Sequence, residues 1–216
     1  MDDNTPYEPS AQGGRLPVHV WPVAPPTWTD GVCVIAVRTE AGPQRERPRQ
    51  QIRQAVRAVL AELLNIASDT ITLPDAAGSA PRIVFDQARS EATSGVAPAR
   101  DIGYSISHES GLSVAAINLH GAIGIDVLRV QDIADWQAVA RDYLGPDVAR
   151  TLAALDPTQR ATALARAWTA REAALKCLGF ALQEWTPAPL RCQISELILP
   201  VGYAGSMAIT QPPQPF

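Results

Sequence analysis

The segment "DPTQRATALARAWTAREAALKCLG", residues 156–179, constrains this chain more than any other stretch of comparable length. Asp156 stands at an N-cap position and Gln159 three residues on. Pro157 falls at the first helical position, where its missing N–H is harmless. Gly179 supplies the left-handed stop. The spacing therefore predicts one helix from Pro157 to Leu178. Trp168, Glu172 and Lys176 recur every four residues and stack along one stripe of it. Ala167, Ala174 and Leu178 are expected on the other side, toward a core. Glu172 and Lys176 then emerge together near the end of a rigid, anchored element.

The rest of the chain alternates helical and extended patterns. Residues 1–30 are proline-rich and weakly periodic and read as a loosely ordered arm. "VCVIAV" at 32–37 reads as a buried strand, and "AGPQRERPRQ" at 41–50 as a basic loop. Ile52, Val56, Val59, Leu60, Leu63 and Leu64 define an apolar helical face that ends near Asn65, with Arg53 and Arg57 beside it. "RIVFD" at 82–86 reads as a strand and 87–100 as a loop. "YSISHESGLSVAAIN" reads as two strands joined by a turn at Glu109–Gly111, and "AIGIDVL" as a third strand, together an antiparallel meander. "DWQAVARDYL" and "DVARTLAAL" read as short helices separated by Gly145–Pro146. "RCQISELIL" and "YAGSMAIT" close the chain as strands. Each half thus has helix material followed by strands, an α+β pattern.

Composition narrows the function. The 216 residues, 46% hydrophobic and 19% charged, suit one large domain or two packed lobes. A formal net charge of −4 gives no general case for nucleic-acid binding. The start, "MDDNTPYEPS", has neither the basic residues nor the apolar core of a secretion signal, and no apolar run approaches the roughly 20 residues that span a bilayer. A cytoplasmic location without membrane contact is the expectation. Cys33, Cys177 and Cys192 follow no zinc-site spacing and read as small buried residues in a reducing compartment.

Lys176 is the sole lysine among 18 cationic Lys and Arg residues. A Glu and Lys four apart is also an ordinary surface pair, worth about 0.2–0.5 kcal/mol. Asp126 is harder to explain away. It lies in "AIGIDVL", between apolar residues, where an uncompensated carboxylate is costly. A cation, a donor cluster or an exposed strand end would each meet its need. Ser107 and His108 end the "SISH" strand and together suit a phosphate, although an isolated histidine is more often structural.

These segments, in this order, resemble the 4'-phosphopantetheinyl transferases, specifically the larger two-lobed type that activates surfactin, peptide and polyketide synthetases. The pattern G-[IV]-D is met by Gly124, Ile125 and Asp126. The pattern W-x-x-K-E-[AS]-x-x-K is met by Trp168, Glu172, Ala173 and Lys176, with Arg171 for the usual lysine. The upstream [NS]-[IV]-S-H is met by Ser105, Ile106, Ser107 and His108. The resemblance covers roughly residues 50–210.

The resemblance implies two similar α+β lobes in pseudo-twofold arrangement, residues 31–120 and 121–216, after the 1–30 arm. It implies transfer of phosphopantetheine from coenzyme A to a serine of an apo carrier protein, with release of adenosine 3',5'-bisphosphate. Fatty-acid, polyketide and peptide synthetase carriers all fit that acceptor role. Magnesium would be held by Asp126 and Glu172. Lys176 would face the diphosphate, and Glu172 and Lys176 would carry the chemistry. Ser107 and His108 would hold the 3'-phosphate, with Arg53 a further phosphate contact. A chain supplying both lobes would act as a monomer. Two departures stand out: Leu128 occupies the place of a common second acid on the metal strand, and "GSAP" at 78–81 lacks the lysine of a common Gly-Lys-Pro loop, leaving Arg82 as its nearest substitute. They motivate a second reading, a non-catalytic coenzyme A or carrier-protein binding module. A magnesium-dependent nucleotide-diphosphate hydrolase is a third, which leaves "SISH" unexplained.

Overall fold

Residues 32–38 and 112–118 are rich in β-branched and small apolar side chains, which favour extended backbone. In the computed structural model, which describes residues 13–40, 42, 46–74, 80–86 and 101–210, they pair. Strand β3 (Val32–Arg38) runs antiparallel to β7 (Leu112–Asn118), which forms a hairpin with β6 (Gly103–Glu109). The short β2 (His19–Val20) adds in parallel to β3, giving the order β2-β3-β7-β6.

A second four-stranded sheet has the order β1-β9-β10-β8: β1 (Gly13–Pro17), β9 (Cys192–Ile198), β10 (Tyr203–Thr210) and β8 (Ile123–Arg129). The expectation of an irregular arm therefore fails for residues 13–20. They form β1, parallel to β9, and β2, parallel to β3, so this segment touches both sheets. Residues 1–12, most of the 41–45 loop, and 87–100 lie outside the described residues.

Side-chain alternation arranges the layers. Cys33, Ile35, Ala115 and Ile117 face helix α1 (Glu46–Leu64), which covers them with Ile52, Ala55, Val56, Val59 and Leu60. The opposite faces of the same strands carry Val34, Ala36, Val114 and Ala116. These pack on Ile123, Ile125, Val127, Leu197 and Met207 of the second sheet. The far side of the second sheet is covered by α4 (Pro157–Leu178) through Ala173, Ala174 and Cys177 on Ala208. The result is an α+β molecule of two sheets face to face, each backed by a long helix.

The smaller elements fill the ends. β4 (Ile71–Thr72) and β5 (Val84–Phe85) make a two-stranded ribbon, so the strand expected over 82–86 is reduced to two residues and an Arg82–Gly103 bridge. α2 (Trp136–Val139) continues as a π-helical turn, Ala140–Leu144, and α3 (Pro146–Ala153) follows. Gly145, at φ 97°, separates them. Trp136, Ala140, Leu144 and Leu152 pack there against Leu164 of α4. α4 starts and stops as the sequence predicts, with Gly179 at φ 76°. The Asp156 side chain makes no capping bond; its carbonyl accepts from the N–H groups of Gln159 and Arg160, both at 3.0 Å. No described helix is long and apolar enough to cross a membrane.

The meander also needs correction. β8 does not pair with β7; it joins the other sheet, antiparallel to β10. Its remaining edge is satisfied by side chains of β6 instead. Ser105 Oγ accepts from Ile125 N at 3.1 Å, Ser107 Oγ from Val127 N at 3.3 Å and Glu109 Oε2 from Arg129 N at 3.2 Å. Three polar side chains at period two thus replace a backbone ladder, and buried N–H groups must be satisfied by something.

Candidate active site between strand β8 and helix α4

The site begins with a glycine. A Cβ on Gly124 would lie 1.9 Å from the Ala173 carbonyl oxygen and 2.5 Å from the Cys177 nitrogen. Without it, the α4 backbone rests directly on β8. The helix face that makes this approach carries Thr169, Ala173 and Cys177, with Ala174 buried beside them as expected; Ala167 packs instead on the Trp136–Leu164 cluster, and Leu178 is only partly buried. Thr169 Oγ reaches Ser206 Oγ at 3.1 Å. Rotated from that face by one position, Glu172 and Lys176 overhang the edge of β8.

Asp126 points to the same side of β8 as Gly124 and is 7% exposed. Its Oδ1 accepts from Lys176 Nζ at 2.7 Å and from Ser107 Oγ at 2.8 Å. Lys176 Nζ also donates to the Ile125 carbonyl at 3.2 Å. Oδ2 makes no hydrogen bond among the described residues. The compensation that a buried carboxylate requires therefore comes from an ammonium and a hydroxyl, all on one oxygen.

Glu172 sits one turn before Lys176, half-buried and without a hydrogen bond among the described residues. Burial pushes its carboxyl above the ordinary value of 4.5; Lys176 and Arg171 oppose the shift, and the Asp126 charge reinforces it. The two carboxylates are thus close enough to repel. Leu128 shares the Asp126 face, so a third acid is lacking, and no group of three or more His, Cys, Asp or Glu converges among the described residues. One unbonded carboxylate oxygen and a second carboxylate without a hydrogen bond among the described residues are hard donors that fit magnesium, which binds through one or two protein carboxylates and keeps its other ligands as water or substrate oxygens.

Other expected residues are placed differently. Ser107 and His108, neighbours on a strand, face opposite ways. Ser107 is committed to Asp126 and Val127, whereas His108 lies on the α1 side with Tyr104 and Ile106, its Nδ1 2.8 Å from Ser113 Oγ. Their side chains do not converge on one anion. Arg53 donates to the Leu73 carbonyl and Arg57 to that of Ile71 at 3.0 Å, both fastening α1 to the 71–73 segment. Arg82 pairs with Asp101 at 2.6 Å. Residues 78 and 79 of the "GSAP" loop lie outside the described residues.

Three residues take on roles that their motif positions did not indicate. Ser105 and Glu109 complete the side-chain ladder, and their signal was the polar alternation S-x-S-x-E in an apolar strand. Arg171 donates to the carbonyls of Gln183 at 3.1 Å and Glu184 at 3.0 Å, fixing the chain that leaves α4.

Ser107→Ala removes one donor from Asp126 and strands the buried Val127 N–H. The expected loss of stability is about 1–3 kcal/mol, read by denaturant unfolding.

Residues 122–199 match the model of the 4'-phosphopantetheinyl transferase superfamily. Over 76 residues the chain is 30% identical to the 4'-phosphopantetheinyl transferase HetI of Nostoc sp. (strain PCC 7120 / SAG 25.82 / UTEX 2576), which is 35% of this chain and 32% of that protein. The chain thus matches about a third of the length of this curated relative. Asp126, Glu172 and Lys176 all lie within the matched span, so the part of the molecule that builds this site is similar to the 4'-phosphopantetheinyl transferase superfamily.

Proposed function

We propose that the chain transfers the 4'-phosphopantetheine group of coenzyme A to a serine hydroxyl of an apo carrier protein, releasing adenosine 3',5'-bisphosphate. The observation that carries the reading is the meeting of Asp126, Glu172 and Lys176 on β8 and α4, inside the span similar to the superfamily. Asp126 Oδ2 and Glu172 would hold magnesium, which supplies charge neutralisation to a diphosphate when bound.

The chain's own groups supply the rest. Lys176 is a compact ammonium on a flexible stem. It can leave Asp126 for the diphosphate and stabilise charge on the departing bisphosphate. Glu172 would also receive the serine proton, directly or through one water. His108 remains a candidate for the 3'-phosphate by itself. We assign the molecule to the two-lobed type, each lobe a sheet with its helix and coenzyme A between them, acting as a monomer in the cytoplasm.

The test is to incubate the protein with coenzyme A, magnesium and an apo carrier protein and to weigh the carrier. A gain of one phosphopantetheine is the expected result. Binding without that gain identifies a non-catalytic module, and cleavage of coenzyme A with an unchanged carrier identifies a hydrolase. Lys176→Ala is expected to lower transfer by about 10²-fold in a folded protein, measured by the same mass assay.

A further inference from the structure

Cys177 and Cys192, small buried residues by sequence, come together in one cluster. Cys177 occupies the last turn of α4, one residue beyond Lys176, and is 1% exposed. Cys192 opens β9 and is half-buried. Both belong to the cluster that joins α4 to the second sheet, with Ala173, Ala174 and Ala208. The Cys192 thiol donates to the Ala174 carbonyl at 4.0 Å. Ala174 lies one turn before Cys177, so the Cys192 sulfur is seated on the turn that carries its partner.

The chain between them is held in place from outside. It leaves α4 at Gly179, is gripped at Gln183 and Glu184 by Arg171, and returns as β9. Trp185 N donates to the Asp142 carbonyl at 2.8 Å. The two thiols are therefore brought together by the same contacts that fix the loop.

We propose that Cys177 and Cys192 are a reversible disulfide site, oxidised by a peroxide and restored by a dithiol. Cys192, the more exposed, reacts first: its thiolate attacks one peroxide oxygen, the O–O bond breaks, and a sulfenic acid and water result. The Cys177 sulfur then attacks the sulfenic sulfur, the S–O bond breaks, and a second water leaves as the S–S bond forms. Two thiols and one hydrogen peroxide become one disulfide and two waters.

The local electrostatics agree with this order. The nearby Cys192 sulfur, and then burial, push the Cys177 thiol up, whereas the Cys177 thiol lowers Cys192 below its ordinary value against the effect of burial. Cys177 therefore enters the second step as the thiol and gives up its proton to the departing oxygen; the Arg82 guanidinium opposes its upward shift without reversing it. Cys33 is an internal control: it lies in the core under α1, and burial pushes its thiol up to about 12. The bond would close a loop of about 15 residues and fix the last turn of α4, with Lys176 on it, to β9. It does not depend on the transferase reading.

The full chain is treated with hydrogen peroxide, quenched with an alkylating reagent, weighed intact and mapped by peptide mass. The expected result is a loss of about 2 Da before alkylation, one Cys177–Cys192 link, a free Cys33, and full recovery with dithiothreitol. Cys192→Ser, at a half-buried position, is expected to stay folded and to abolish the loss. A gain of about 16 or 32 Da without a link, an unchanged mass, or a link that includes Cys33 overturns the proposal.

Discussion

Glu172→Gln is expected to lower phosphopantetheine transfer by about 10³-fold or more while making the protein slightly more stable. The two effects have one cause. Glu172 is half-buried, has no hydrogen bond among the described residues and lies within repulsive reach of Asp126. Ionised, it is a cost to the fold that Lys176 and Arg171 offset only in part. Its folded-state pKa is raised above 4.5. The native state therefore holds this proton more tightly than the unfolded chain, and the cost grows as pH rises through and above 4.5. Glutamine keeps the shape and removes the charge. A melting temperature higher by roughly 1–3 °C is expected at pH 7. The difference should shrink as the pH falls below 4.5, where the wild-type carboxyl is protonated in both states. Loss of transfer follows because glutamine can neither receive a proton nor offer a charged oxygen to a cation. A residue that merely braced α4 would behave oppositely, losing stability and activity together. Wild-type transfer in a folded variant would remove Glu172 from the site.

What could be read from the sequence was what local chemistry decides. The α4 ends were legible because a proline at the first position and a glycine after the last have direct backbone meanings. Asp126 was legible because one acid in an apolar strand demands a partner. The Lys176 pairing was half legible: spacing put it beside Glu172, but only the packing of α4 on β8 brings it to Asp126. Adjacency misled at Ser107 and His108, since neighbours on a strand point to opposite faces. Strands β1 and β2 were missed because short parallel additions to distant strands leave no periodic trace in five and two residues. The meander was wrongly extended because β8 takes its second set of donors' partners from side chains. The Cys177–Cys192 contact depends on how a loop returns, which Arg171 and Trp185 decide and no spacing reports.

Gly124→Ala is expected to damage both the fold and the site, and it tests the packing on which the site is built. The added methyl would come within 1.9 Å of the Ala173 carbonyl oxygen and 2.5 Å of the Cys177 nitrogen. Both are helix backbone atoms, so no side-chain rotation relieves the clash; α4 must move off β8 by about an ångström or more. Overpacking of this kind costs about 1–3 kcal/mol and sometimes more, and the backbone contact places this case at the upper end. Thermal unfolding should then begin about 5–10 °C lower. The displacement falls on the turn that carries Lys176, whose ammonium now reaches Asp126 at 2.7 Å. An ångström of misplacement at a reacting centre can cost about 10²-fold, so transfer should fall even at temperatures where the variant remains folded. Gly14→Ala is the matched control: no heavy atom lies within 4 Å of the added methyl, and stability should stay within about 0.5 kcal/mol of wild type. If Gly124→Ala melts and turns over like that control, the helix does not rest on the strand at this point, and the geometry joining Asp126 to Glu172 and Lys176 falls with it.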